Sequence, residues 1–215
     1  MTEFPLVTFG IVNCNRLHFL KSCYKSLEFC TRDYPNREFI IVDNASIEEG
    51  TDEFLNELDT SGAQVFQAAE RDPANEFPRA LNLICQHAKG EYVCPLQGDM
   101  QFVMIGGWLK EYVDFYKENL ENVGCILFDA QRTVTNAHQV TAMSEPIRTS
   151  RAIGDLSPSD FKFVANQARP PIAGAADVMY SKRIIDMIYP WSEENASHEG
   201  GQDSETAMLE KISKI

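Results

Sequence analysis

The stretch Glu91-Tyr92-Val93-Cys94-Pro95-Leu96-Gln97-Gly98-Asp99-Met100-Gln101-Phe102 is a short apolar run that ends in a glycine and one carboxylate. Bounded by Lys89-Gly90 before it and Gly98 after it, a run of this length reads as a buried parallel strand. Asp99 then stands at its exposed end. Open α/β sheets bind ligands beyond the carboxyl ends of their strands, so a carboxylate there is placed for a metal ion or a sugar hydroxyl.

The residues upstream build the floor beneath that point. Leu6 to Asn13 is rich in β-branched and aromatic side chains and reads as a first, central strand, with Asn15-Arg16 as the turn after it. From Leu17 the apolar residues Leu17, Leu20, Tyr24 and Leu27 recur at helical spacing, and the helix stops before Asp33-Tyr34-Pro35. Glu38 to Val42 is a second buried strand, closed by Asp43-Asn44-Ala45-Ser46. Strand, helix, strand in this rhythm is a right-handed βαβ unit, which puts the loops after both strands on one edge. A helix is expected over Ile47 to Leu58 with Ser46 as its N-cap, then a strand at Gln64 to Gln67. The polar segment Glu70 to Pro78 feeds a helix whose Phe77, Ala80, Leu81, Ile84, Cys85 and Ala88 share one face, and Lys89-Gly90 is expected to end it.

Beyond Phe102, Gly106-Gly107 releases a helix that turns Trp108, Leu109, Tyr112, Val113 and Tyr116 inward, and Val123 to Phe128 is another buried strand. The pattern weakens from Asp129 to Arg169, with short strands expected near Thr133-Val134 and Phe161 to Val164; a long irregular span of this kind in a compact domain is usually functional or mobile. Order returns at Pro171 to Tyr180, followed by a helix from Ser181 to Ile188 and a last helix from Asp203. The expected fold is α/β, a single domain with a mostly parallel central sheet flanked by helices.

Composition narrows the function. The 215 residues are 44% hydrophobic and carry a formal charge of −13, which argues against a nucleic-acid or anionic-membrane surface. A negatively charged substrate would need a cation as intermediary. No apolar window reaches the length of a membrane span and no basic-then-apolar leader opens the chain, so a soluble, cytoplasmic protein is expected. Six cysteines without a CxxC pair fit free core thiols in a reducing compartment. No GxGxxG follows the first strand, and no P-loop, GxSxG elbow or HExxH occurs.

Four constellations could carry chemistry. Asp43-Asn44 could accept from a base N–H or ribose hydroxyls, or simply cap a turn. Arg79 and Asn82, one helical turn apart, could meet phosphate or sugar oxygens, or be solvated surface. Gln97-Gly98-Asp99 offers close backbone approach and one hard oxygen ligand, against an ordinary strand-end turn. His198 to Glu205 sets two glycines before Asp203 at a helix start, where it is either an N-cap or a general base.

Thr8 to Arg16 reads TFGIVNCNR, Glu38 to Thr51 reads EFIIVDNASIEEGT, and Arg79-Ala80-Leu81-Asn82 is followed by Ala88-Lys89-Gly90-Glu91-Tyr92-Val93. In this order, over most of residues 5–103, they resemble the GT-A glycosyltransferases, in particular the family-2-like group that uses nucleotide sugars. The family's first strand usually reads TVIIPTYNR, so Val12 replaces its proline. The resemblance implies a GT-A, Rossmann-like domain over 1–215, with a nucleotide-binding half at 5–103 and an acceptor-side half at 104–215. By that match Val12, Asn13 and Arg16 flank the donor nucleotide, Asp43 reads uracil or ribose, and Arg79 and Asn82 meet the diphosphate or donor sugar.

The family's Asp-x-Asp metal motif falls on Gln97-Gly98-Asp99, so this chain keeps only the last aspartate. The metal role passes to Asp99, with manganese or magnesium as the implied cofactor, His198 as a further candidate ligand, and Gln97 left to hydrogen-bond ribose or sugar. Gly174-Ala175-Ala176 resembles the segment lining the donor sugar. Gly200-Gly201-Gln202-Asp203 resembles an acceptor-side Gly-Gly-Glu-Asp, which makes Asp203 the base of an inverting enzyme. The implied partners are a UDP-sugar donor and a glycan or glycoprotein acceptor. A likeness to the N-terminal glycosyltransferase domain of a larger viral protein concerned with capsid glycans adds an expectation of further domains C-terminal to this chain. A nucleotidyltransferase and a non-catalytic sugar-binding module are the alternatives. The first lacks its basic Gly-rich loop here, and the second draws support from the reduced metal motif.

Overall fold

The computed structural model describes residues 4–121, 123–128 and 176–193, the strands at 138–142 and 163–166, and Met208 and Lys211. The elements run β1 (Val7–Asn13), α1 (Leu17–Cys30), β2 (Arg37–Asp43), α2 (Thr51–Thr60), β3 (Gln64–Gln67), α3 (Glu76–His87) and β4 (Tyr92–Gln97). They continue with α4 (Trp108–Glu118), β5 (Val123–Leu127), β6 (His138–Ala142), β7 (Phe163–Asn166), β8 (Val178–Ser181) and α5 (Lys182–Ile188). The strands form one eight-stranded sheet in the order β3-β2-β1-β4-β8-β5-β6-β7.

Alternation along β1 sorts the helices into two layers. Val7, Phe9 and Ile11 pack into a core with the apolar faces of α1, α2 and α4, among them Leu20, Phe54, Leu58, Trp108 and Tyr112. Val12, from the other face, joins Ile40, Val42 and the inward residues of α3 and α5, including Leu81, Ile84 and Ile185. The result is a three-layer α/β/α domain. Gly10 lies between these two sets for a steric reason: a Cβ there would stand 2.3 Å from Ile84 Cγ2, so its absence lets α3 approach the sheet.

The first half of the sheet is as expected. β3, β2, β1 and β4 are parallel, and Asn13 pairs with Asp43 while Val12 pairs with Gln97, so three strands end side by side. The second half is mixed, which keeps the sheet mostly parallel, with β6 and β7 parallel to each other. β8 runs antiparallel to both β4 and β5, and β6 is antiparallel to β5. Hydrophobic periodicity identifies a buried strand and carries no information about its direction.

Three boundaries differ from the sequence reading. Ser46 does not cap α2, which starts at Thr51 after Gly50 in a left-handed conformation (φ 84°). Lys89-Gly90 does not end α3 by a left-handed turn; the chain becomes extended at Ala88. Gly90 is needed for closeness instead, since its N–H donates to Thr8 Oγ1 at 2.9 Å and a Cβ would meet the Tyr92 carbonyl at 2.6 Å. Ser181 precedes α5 and caps it, accepting from Ile184 N–H. The strand expected at Thr133-Val134 lies outside the described residues, and the one expected at Phe161 to Val164 is β7, displaced by two residues. Among the described residues no helix is long and apolar enough to cross a membrane.

Candidate functional site

The loops after β1 and β2 are knitted together by one buried carboxylate. Asp43 is fully buried; its Oδ1 accepts from Asn13 Nδ2 at 2.7 Å and from the Ser46 hydroxyl at 2.6 Å, and its Oδ2 accepts from Ser46 N–H at 2.9 Å. The Ser46 hydroxyl oxygen in turn accepts from Asn15 N–H at 2.7 Å, and Asn15 Oδ1 accepts from Ile47 N–H at 2.7 Å. Glu48 completes the join by accepting from Leu17 N–H at 2.8 Å, which caps α1 from the neighbouring loop. Asp43 therefore orders the loop that leaves its own strand and ties it to the end of β1, and it is Asn44, the next residue, that reaches the cleft.

That cleft has a volume of about 310 Å³ and opens at the carboxyl ends of β1, β2 and β4. It is lined by Val12, Asn13, Cys14, Arg16 and Asn44 at and after the ends of β1 and β2, by Gln97, Gly98 and Asp99 at the end of β4, and by Arg71, Glu76 and Phe77 from the segment that leads into α3. Gly98 is required at the strand end: its N–H donates to the Val12 carbonyl at 2.9 Å, and a Cβ would lie 2.8 Å from that oxygen. Gln97 is held by its backbone, whose N–H donates to Asp177 Oδ1 at 2.9 Å, while Asp177 N–H donates to the Pro95 carbonyl at 2.7 Å. β8 thus fixes the end of β4. Burial pushes the Cys14 thiol up from its ordinary pKa, so it stays protonated and donates to the Asn44 carbonyl.

Asp99 is at the mouth, where Arg16 Nη1 lies 3.3 Å from its Oδ2. Both side chains are well exposed, and a pair of this kind contributes only about 0–1 kcal/mol, so it yields readily to a stronger ligand. The residues suit a divalent cation that a bound molecule helps to hold. Among the described residues no three Cys, His, Asp or Glu side chains converge on one point. Magnesium-like ions are nevertheless commonly held by one or two carboxylates with phosphate oxygens and water, and Asp99, held only by its exposed pair with Arg16, is a hard oxygen donor beside an open cleft.

Arg79 and Asn82 face elsewhere. Asn82 is buried, accepting from Trp191 N–H at 2.7 Å and donating to the Trp191 carbonyl and to Glu193 Oε1. With its amide consumed inside the protein, it staples residues 191–193 to α3, which departs from the expected phosphate contact. Arg79 bridges Asp72 and Glu193 at 2.5 and 3.0 Å, and opens on a second cavity of about 300 Å³ between the β2 and β3 ends and α3. Asn44 and Glu76 are shared by both cavities. Gly174, Ala175, His198 and Asp203 lie outside the described residues.

Arg71, Glu76, Phe77 and Asp177 were not legible as site residues. The first three fall in the polar stretch that reads as a turn, and nothing in local spacing says that it folds back over β1. The composition of that stretch, two arginines among three carboxylates over Glu70 to Arg79, was the available signal.

The family model described as glycosyl transferase family 2 matches residues 8–171, more than half of the chain. The chain belongs to glycosyl transferase family 2. S. aureus TarS 1–349 in complex with UDP superposes with a TM-score of 0.65 at 14% identity, covering 96% of this chain and 54% of that one. The mannosyltransferase PcManGT from Pyrobaculum calidifontis, in complex with GDP-Man and Mn2+, gives 0.59 at 16% identity, covering 97% and 52%. At these identities the likeness establishes the GT-A fold. The uncharacterized protein y4gI of Sinorhizobium fredii (strain NBRC 101917 / NGR234) is 30% identical over 122 residues, 57% of this chain and 13% of that protein. This family 2 chain spans about half the length of its structural neighbours and a smaller part of that relative.

Proposed function

We propose that this family 2 glycosyltransferase moves a hexose or deoxyhexose from a UDP-sugar to a glycan or glycoprotein acceptor, with manganese or magnesium at Asp99. The observation that carries the reading is the cleft itself, where three parallel strands end together, Gly98 lets the end of β4 close against β1 and Asp99 stands at the mouth. Support comes from neighbours bound to UDP, UDP-GlcNAc and, with Mn2+, GDP-Man. All six cysteines are free, which fits work in a reducing cytosol.

The chemistry follows from charge. Leaving of the diphosphate concentrates negative charge on its oxygens, and a cation bound there would supply the compensating charge. Asp99 would hold it, and Arg16, released from its weak pair, would turn its guanidinium to the diphosphate. Gly98 keeps the end of β4 close against β1, and the Asp43 network keeps the loops preorganised.

In the inverting course Asp203 accepts the proton of the acceptor hydroxyl, a step worth roughly 10²–10⁴-fold. Asp203→Asn is expected to lower turnover by about that factor while leaving UDP affinity unchanged; near-normal turnover would remove Asp203 from the role. The anomeric configuration of the product separates the inverting from the retaining course. A specific observation favours one rival: Gln97 in the metal motif and Arg16 on Asp99 also suit a non-catalytic nucleotide-sugar module. Slow release of UDP from a UDP-sugar by the chain alone counts against that rival.

A further inference from the structure

Asp99 has little of its own to aim it. Its side chain is 39% exposed and its ion pair with Arg16 is a weak one, so the direction of the carboxylate is set by the backbone that carries it. That backbone is a four-residue turn, Gln97-Gly98-Asp99-Met100, closed by Met100 N–H donating to the Gln97 carbonyl at 3.0 Å. The entry to the turn is held from opposite sides. Gly98 N–H donates to the Val12 carbonyl of β1 at 2.9 Å, and Gln97 N–H donates to Asp177 Oδ1 at 2.9 Å. Fixing the peptide planes on both sides of Gln97 fixes its two torsions, and with them the direction in which the turn leaves β4.

Asp177 is held rigidly for this contact. It stands just before β8 at φ 57°, in the left-handed region that glycine takes freely and that Asn and Asp tolerate best among other residues. Its N–H donates to the Pro95 carbonyl at 2.7 Å, and its own carbonyl accepts from Phe128 N–H at 3.0 Å, which locks it between the ends of β4 and β5. The antiparallel ladder between β4 and β8 pairs Tyr92 and Val93. Beyond it Pro95 has no N–H for a partner strand, and Asp177 carries the β4 edge onward with one backbone and one side-chain bond. A glycine would take this backbone without strain; the aspartate adds an acceptor that reaches Gln97.

We infer that Asp177 is a positioning residue for the metal site, its hydrogen bond to Gln97 N–H orienting the turn that presents Asp99 to the cation. The inference rests on the donor-site reading above and adds to it a residue that does not line the cleft. A ligand oxygen has to be held within about 0.5 Å of its productive place. Gln97 stands where a second carboxylate would share the metal, so a displaced Asp99 has no substitute within the motif.

The test separates geometry from charge. Asp177→Gly keeps the left-handed backbone and drops the acceptor, Asp177→Glu keeps the charge and moves it by one methylene, and Asp177→Asn keeps an Oδ1 acceptor in place and drops the charge. Manganese dissociation constants are measured at saturating UDP from the EPR signal of the free ion, and amide exchange at Gly98 and Met100 is followed without metal. Asp177→Gly and Asp177→Glu are expected to bind manganese about 10–100-fold more weakly, the usual cost of losing a partner that orients a metal ligand, and to exchange both amides faster. Asp177→Asn is expected to stay within about threefold of the wild type, because its side-chain carbonyl still accepts from Gln97 N–H, with exchange unchanged. A role confined to stability would lower the melting temperature and leave the manganese affinity of the folded chain unmoved. Should Asp177→Gly fail to melt cooperatively, Asp177→Glu carries the comparison with Asp177→Asn. Wild-type manganese affinity in Asp177→Gly and Asp177→Glu overturns the positioning role, and a loss in Asp177→Asn as deep as in the other two assigns the effect to charge and overturns it as well. Failure of the wild type to take up manganese with UDP overturns the donor-site reading and this role with it, even where exchange shows that Asp177 holds the turn.

Discussion

At the scale of single residues, the site is governed by how closely two backbones approach. Gly98 is 2.9 Å from the Val12 carbonyl through its N–H, and any side chain would press on that oxygen at 2.8 Å. Gly98→Ala is expected to cost about 1–3 kcal/mol in denaturant unfolding, as overpacking does, and to weaken UDP binding beyond what the stability loss explains. Gly10 and Ile84 form a similar matched pair at the interface of β1 and α3. Neither contact is visible in the sequence, where a glycine inside an apolar run is compatible with a bulge, a turn or a close approach. Asp43 illustrates the same limit: its place at a strand end was readable, but whether its oxygens face a ligand or the next loop depends on Asn13 and Ser46, which only the folded chain brings together.

At the scale of elements, the order of strands and helices through α4 was legible because each buries a continuous apolar face with the proper period. The helix starts were less so. α1 takes its cap from Glu48, 31 positions away, and Ser46, which by spacing should have capped α2, serves the β1 loop instead. Caps contributed from a distant segment leave no local signature. Glu48→Ala is expected to destabilise the chain by about 0.5–2 kcal/mol, the range for losing an N-cap. Amide exchange is expected to accelerate first in the initial turn of α1; uniform acceleration across the sheet would argue against a capping role. Asn82 belongs to the same lesson. Its spacing from Arg79 was read correctly, but its amide is spent on Trp191, a contact across 109 residues.

At the scale of the whole molecule, both layers of the core bury thiols and phenols, and this gives the fold a definite alkaline limit. Burial raises Cys85 from 9.0 to about 12 and Tyr92 from 10.0 to about 12, and it pushes Cys94 and Tyr116 upward as well. A folded pKa above the unfolded one adds stability that is fully present below the unfolded value and is lost as pH rises toward the folded value. With reductant present, the melting temperature is therefore expected to be insensitive to these groups below about pH 8.5 and to fall steadily between about pH 9 and 12. A flat profile to pH 11 would mean that these side chains are solvated. The central claim, that the ends of β1, β2 and β4 form a metal-assisted nucleotide site, is tested most directly by thermal shift. The panel is UDP, GDP, CMP and UDP-sugars, each with and without manganese, because a ligand that binds the native state raises its melting temperature by mass action. The account predicts stabilisation by UDP that requires manganese and disappears in Asp99→Ala; no shift with any nucleotide, or an undiminished shift in that variant, would contradict it.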